Sequence, residues 1–349
     1  MKRLIPFDDL SRRSGRSPGS SLRSARRFAS LRASGLPLFA AACLAACGGR
    51  YHADTPTPAA KDEAPRGVEA AALPYKILDA RTGHEISEAD FWARVGAARA
   101  VCVGEEHPNP HHHWAQLQVI SHLATRTGPF AVGMEMVQRP FQGVLDDYAA
   151  KTIDDDAMTA RTGWEDRWGY DFKLYRPLLH VVRDHGGALI ALNASKELVK
   201  RVSHEGLDKL TPDERAQLPE LDLENAAHRA WFDGVMAEMG GTMHGDKDGD
   251  GPKEEDKAAA DRMYSVQVLW DESMADGAAK WLGTDRAKEI VILAGDGHCH
   301  DSAIVGRLKR RGVAESISIR PVIDDGQGDV AEILATPMND YLFVMSMPK

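Results

Sequence analysis

The chain is 349 residues long and carries 43 Lys and Arg against 52 Asp and Glu, a formal charge of −9. That balance excludes a nucleic-acid partner, whose phosphates demand a basic face, and a basic surface that hugs membranes. Four cysteines are too few for a disulfide framework.

Residues 1–46 read as a leader. Nine basic residues stand against two acidic ones, ahead of the apolar run Leu36-Pro37-Leu38-Phe39-Ala40-Ala41-Ala42-Cys43, which is too short to span a bilayer. The leader closes on Leu44-Ala45-Ala46-Cys47, which resembles the lipobox of bacterial lipoproteins, and Cys47 is then the lipidated first residue of the mature chain. Gly48 behind it points to the outer rather than the inner membrane, by resemblance to lipoproteins generally. Residues 47–73 form a tether rich in Ala, Pro, Thr and charge, with no apolar period, and are expected to be disordered. Without the leader 34 basic and 50 acidic residues remain, a formal charge of −16.

Residues 74–349 suffice for one large α/β domain. Strands are predicted at Ala100–Val103, Phe130–Met134, Ala188–Leu192, Ile290–Ala294, Ile317–Ile323 and Tyr341–Met345, each a short apolar run rich in β-formers. Between the first two, Asn109 is an N-cap, Pro110 fits the first helical position, and Trp114, Leu117, Ile120 and Ala124 keep a helical period. Further helices are expected from Pro177, from Thr211 and across Ala258–Leu282. Strands alternating with helices imply a largely parallel sheet flanked by helices on both faces. Residues 240–257 (GGTMHGDKDGDGPKEEDK) read as a mobile acidic insertion with no amphipathic helix running into it. Asp246, Asp248, Asp250 and Gly251 match the opening of a calcium loop, but Lys257 stands where the bidentate Glu is required.

Polar groups follow each of the first four strands. The first runs into Gly104-Glu105-Glu106-His107, with His111, His112 and His113 in the next helical turn. The second reaches Glu135, the third Asn193, and the fourth Gly295-Asp296-Gly297-His298-Cys299-His300. Open α/β sheets bind ligands in the crevice beyond these carboxyl ends. Cys102 and Cys299 become spatial neighbours if their strands end at one crevice. His107, His298 and His300 with Glu106 and Glu135 offer imidazole and carboxylate donors for a divalent transition metal. They also admit a plainer role, as histidines packed at a polar domain edge.

Taken in order, Gly104-Glu105-Glu106-His107 with His112, His113 and Gln116, Gly133-Met134-Glu135-Met136, Ala191-Leu192-Asn193-Ala194, Val268-Leu269-Trp270-Asp271 with Met274-Ala275, and Gly295-Asp296-Gly297-His298 resemble the ChaN-like haem-binding lipoproteins. The resemblance spans about residues 75–325 and departs after the last motif, where Ser302-Ala303-Ile304-Val305 replaces the usual Gly-hydrophobic-Pro step. It implies an iron-regulated surface lipoprotein that binds haem at a homodimer interface, within the Tiki and erythromycin-esterase superfamily. It also implies tyrosine as an iron ligand. Tyr170 and Tyr175, among Trp164, Trp168 and Phe172, are the best placed by composition, with His112 and His113 as further cofactor contacts. The same aromatic group would equally serve as a core patch under a loop. Met236, Met239, Met243 and His244 form another possible axial set, or a core stripe.

The leading expectation is an envelope lipoprotein that binds haem or its iron, without turnover. The alternative is a metal-dependent hydrolase of the superfamily's kind, with Glu105, Glu106, His107, Glu135 and His298 as ligands or acid and base groups. A non-catalytic interaction module follows only if the strand-end residues are scattered.

Overall fold

The computed structural model describes residues 68–243 and 254–347. The leader, Cys47, most of the tether, His244 and the calcium-like Asp run lie outside the described residues. The strands are β1 (Tyr75–Asp79), β2 (Glu85–Ile86), β3 (Ala100–Val103), β4 (Phe130–Gln138), β5 (Ala188–Asn193), β6 (Glu289–Leu293), β7 (Ser316–Asp324) and β8 (Tyr341–Ser346). They form one sheet in the order β2-β1-β8-β7-β3-β6-β4-β5. The six strands from β8 to β5 are mutually parallel, and β1 and β2 add an antiparallel edge.

Burial on both faces explains why β3, β4 and β6 read as unbroken apolar runs rather than alternating ones. Successive residues along each strand point to opposite faces. Val101, Val103, Val132, Met134, Val291 and Leu293 form one core with α1 (Glu88–Ala97), α2 (Pro110–Ala124), α3 (Gln142–Ala149), α4 (Asp155–Thr162) and α5 (Arg176–Asp184). Ala100, Cys102, Ala131, Ile290 and Ile292 form the other, against Met274, Ala275, Ala278 and Leu282 of a 29-residue helix (Glu254–Leu282) and Ile304, Val305 and Leu308 beyond β6. The layers are therefore those expected: a largely parallel sheet flanked by helices on both faces.

Chain order places the crevice. From β3 the chain crosses β6 to reach β4, whereas from β6 it crosses β3 to reach β7. These neighbouring strands thus send their following segments in opposite directions, which opens a gap at their carboxyl ends. Cys102 and Cys299 meet there in a disulfide with 5.4 Å between Cα atoms, tying β3 to the segment after β6.

Three expectations need correction. The second strand runs past Met134 to Gln138, with its pairing to β5 shifted between those residues, so Glu135 lies inside the strand where regular pairing lapses. The insertion is narrower than 240–257. With α6 (Lys196–Glu205) intervening, a helix α7 (Ala226–Met243) runs directly into it, and α8 (Glu254–Leu282) begins within its end. α7 carries Gly240 and Gly241 despite their low helix propensity. The predicted helix at Thr211 has its full capping box but lasts one turn, Pro212–Arg215.

Candidate functional site at the carboxyl edge of the sheet

The parallel register sets Ile319, Val103, Leu293 and Met134 side by side. The next residue on each strand begins the site: Arg320, Gly104, Ala294 and Glu135. Gly104 lets Asp296 pack close, because a Cβ there would displace the Asp296 carboxylate. Asn109 accepts from the His111 amide to start α2, so the three histidines fall in its first turn beside the end of β3.

Glu105 is fully buried and accepts from several donors. His107 Nδ1 and the Tyr175 hydroxyl meet Oε1 at 2.7 and 2.8 Å, and the Gln116 amide donates to Oε2 at 2.7 Å, with His113 Nδ1 at 3.4 Å. Burial opposes its ionisation, but the charges of His113 and His107 and these hydrogen bonds prevail and hold its carboxyl down to about 2. His113 also reaches the His107 carbonyl through Nε2 at 2.8 Å. The group is a spent knot that fixes the β3 loop to α2 and α5.

A second chain crosses toward α8. Glu135 accepts from the Gly295 amide at 2.8 Å and lies 3.4 Å from His298 Nε2. His298 Nδ1 lies 2.6 Å from Asp271, whose other oxygen is 2.9 Å from His228 and 3.8 Å from Arg307. Burial disfavours the charged His298, yet Glu135 and Asp271 raise its pKa well above the usual value. Asn193 donates to the Glu135 carbonyl at 2.9 Å. The Asp296 amide donates to the Glu105 carbonyl at 3.1 Å and so joins the loops after β3 and β6; His107, Glu135, Asn193 and His298 gather at one edge, and the scattered reading falls away.

The five residues expected as metal ligands do not converge on one point. His107 turns to Glu105, and His298 is held between Asp271 and Glu135. Glu106 accepts from Asn109 at 3.2 Å, while His300 packs its ring 4.5 Å from Trp231 of α7. Both ring nitrogens of His298 thus face carboxylates, while His107 meets Glu105 through Nδ1. Among the described residues no group of three or more His, Cys, Asp or Glu is arranged to hold a metal ion.

The aromatic segment divides in two. Trp164 and Tyr175 join the core, so Tyr175, fully buried with its hydroxyl on Glu105 and its pKa raised well above the usual value by burial, is not presented to a ligand. Tyr170 is half-buried instead, its ring 4.9 Å from His107 and 5.4 Å from Trp168. The two other expected cofactor contacts also differ. His113 is enclosed as above. His112, buried, accepts the Glu106 amide at Nδ1 (2.9 Å) and leaves Nε2 with no partner among the described residues. Burial and neighbouring charges hold its pKa down to about 3, so it is neutral.

Asp271, His228 and Arg320 were not singled out as site residues in the sequence. Their signal was present for Asp271: with Glu272 it interrupts the buried stripe of α8 between Leu269 and Met274, an acidic pair where the helical period calls for apolar side chains.

The fold and this edge define a class: an α/β protein with a polar, histidine-rich crevice at the switch point of a parallel sheet. The chain belongs to the family described as "Haem-binding uptake, Tiki superfamily, ChaN", whose profile matches residues 91–308. Among solved structures it is similar to ChaN of Campylobacter jejuni, described with cofacial haem binding, at 19% identity and a TM-score of 0.58, covering 78% of this chain and 96% of that one. That likeness shows the fold. It is also similar to a succinoglycan biosynthesis protein (13% identity, TM-score 0.41, covering 67% of this chain and 68% of that one) and to an erythromycin esterase variant in its open conformation (13%, 0.38, 78% and 83%). No curated protein matches.

Proposed function

We propose that this chain is a lipid-anchored envelope protein that binds haem at the carboxyl edge of its sheet, in the service of iron acquisition. The observation that carries the reading is Tyr170, held half-buried against Trp168 and His107 at the crevice. A haem site needs a flat apolar wall, an axial donor and polar groups for the propionates. Trp168, Tyr170 and Phe172, packed partly buried against the core, supply the wall, and the Tyr170 phenol is the donor. Bound haem would supply a ferric iron for that phenolate. Family membership supports the ligand, and the lipobox-like Leu44–Cys47 supports the anchor. The buried Cys102–Cys299 disulfide fits an oxidising envelope compartment. A homodimer with haem at its interface, which the resemblance implies, is carried over as part of this reading. The hydrolase alternative is not favoured, because among the described residues no group of three or more His, Cys, Asp or Glu is arranged to hold a metal ion.

Haemin titration of the chain lacking residues 1–47 tests the ligand. Tyr170→Phe is expected to weaken binding about tenfold or more, equivalent to about 1.4 kcal/mol or more, and to shift the Soret band, while Tyr175→Phe leaves the band in place. An unchanged Tyr170→Phe spectrum would remove the assignment. Cys47→Ser in the full chain should move the protein from the membrane to the soluble fraction, and continued membrane recovery with a labelled acyl group would end the anchoring reading.

A further inference from the structure

Proteins that take a dianionic ligand into an acidic crevice need an unspent cation there. This edge is rich in carboxylates: Glu105, Glu106, Glu135 and Asp296. The nearby guanidinium of Arg139 is tied to Asp276 at 2.8 Å and that of Arg167 to Gln138 and Glu197. Arg307 is buried among Ser302, Glu272 and Asp271.

Arg320 is different. The register places it beside Gly104, directly beyond the β3–β7 pair. Its Nε lies 3.4 Å from Asp296 Oδ2, its side chain is 38% exposed, and its two terminal nitrogens have no partner among the described residues. The planar fork is therefore steered from one side and open on the other, the arrangement in which arginine receives a carboxylate through two parallel hydrogen bonds.

Two buried atoms at this end of β3 are also unspent, one on Asp296 and one on His112, whose ring meets the Glu106 amide. His112 Nδ1 accepts the Glu106 amide, so the proton of the neutral ring sits on Nε2, a buried donor without a partner. Asp296 Oδ1 is buried and unpartnered as well. A buried donor left unmade is costly, so a ligand that satisfies it recovers that cost on binding. His112 is additionally in the first turn of the 15-residue α2, whose positive end favours an anion.

We infer that Arg320 and the His112 Nε2–H together form a carboxylate-receiving subsite at the mouth of the crevice. Resting on the haem reading above, it takes one propionate arm and so sets which edge of the macrocycle enters. Asp296 holds the guanidinium in place as a positioning residue and makes no contact with the carboxylate.

The test compares haemin with its dimethyl ester, which keeps the ring and iron but has no carboxylate. Arg320→Gln is expected to lose about tenfold to 100-fold in haemin affinity, from the 1.5–3 kcal/mol of a charge-assisted bond, and to bind the diester as wild type does. Equal losses for both ligands, or no loss for either, overturn the subsite. A parallel measurement is independent of haem: glutarate titrated into 15N-histidine-labelled protein should shift the His112 Nε2 resonance, and Arg320→Gln should abolish the shift. If wild type fails to take up haemin but His112 answers to glutarate, the haem reading falls and the carboxylate subsite stands. If haemin binds and His112 is silent to glutarate, with Arg320→Gln unchanged, the subsite falls alone.

Discussion

Removing the Cys102–Cys299 disulfide is expected to lower the stability of the domain by up to about 5 kcal/mol, the chain-entropy value for a closure of this length. The two cysteines are 197 residues apart, so the link constrains a large part of the unfolded chain. It also joins elements that sequence order separates, since the parallel neighbours β3 and β6 have β4, β5 and the long α8 between them in the chain. The cost should show as a lower urea midpoint for Cys102→Ala with Cys299→Ala, matched in wild type by added reductant. Peptide mapping without reduction should recover the 102–299 cross-link. The effect reaches the site as well, because Cys299 stands between His298 and His300, and the Asn339 amide donates to its carbonyl at 2.6 Å. Haemin affinity should therefore fall in the double variant. A reduced protein with an unchanged midpoint would mean that the bond is not made in solution.

The parallel strands were legible because each is a short, doubly buried apolar run, and that pattern survives without knowledge of its neighbours. β1 and β2 were not. Tyr75–Asp79 mixes Lys and Asp into five residues, and β2 is two residues long; β1 exists because β8, some 265 residues downstream, offers an edge to pair with, and β2 only adds to β1. Nothing local announces such a partner. At the site, the ends of β3 and β6 told where polar groups would gather, since the switch-point geometry follows from strand order. What each group does there was not legible. His107 and His298 looked alike as strand-end imidazoles, yet one faces Glu105 and the other is held by an aspartate from a helix. Tyr170 and Tyr175 are five residues apart and of one type, but one lies half-exposed at the crevice and the other in the core. Side-chain direction at a loop depends on tertiary contacts that spacing does not encode.

Asp271→Ala is expected to destabilise the fold by about 3–5 kcal/mol, the usual result of breaking a buried ion pair by removing one partner. The carboxylate is fully buried and faces His298 at 2.6 Å, His228 at 2.9 Å and Arg307 at 3.8 Å, so its loss leaves His298 and Arg307 without their counter-charge. The effect has a signature in pH. Burial works against the Asp271 charge, but Arg307, His298 and His228 hold its pKa well below the usual carboxylate range. Its stabilisation is thus in full above about pH 4, the unfolded value, and drains away as the pH falls. His298 has its pKa raised, so its contribution is complete below about pH 6.5 and is lost as the pH climbs through the higher folded value. The stability difference between wild type and Asp271→Ala should therefore be widest between about pH 4 and 6.5 and narrow on both sides. Asp271→Asn, which keeps an acceptor for His298 Nδ1 but no charge, should lose less and flatten the alkaline limb. Urea midpoints at acidic, intermediate and alkaline pH decide the matter: a gap of constant width, or one below about 1 kcal/mol, would show that this chain of alternating charges does not hold α8 to the sheet.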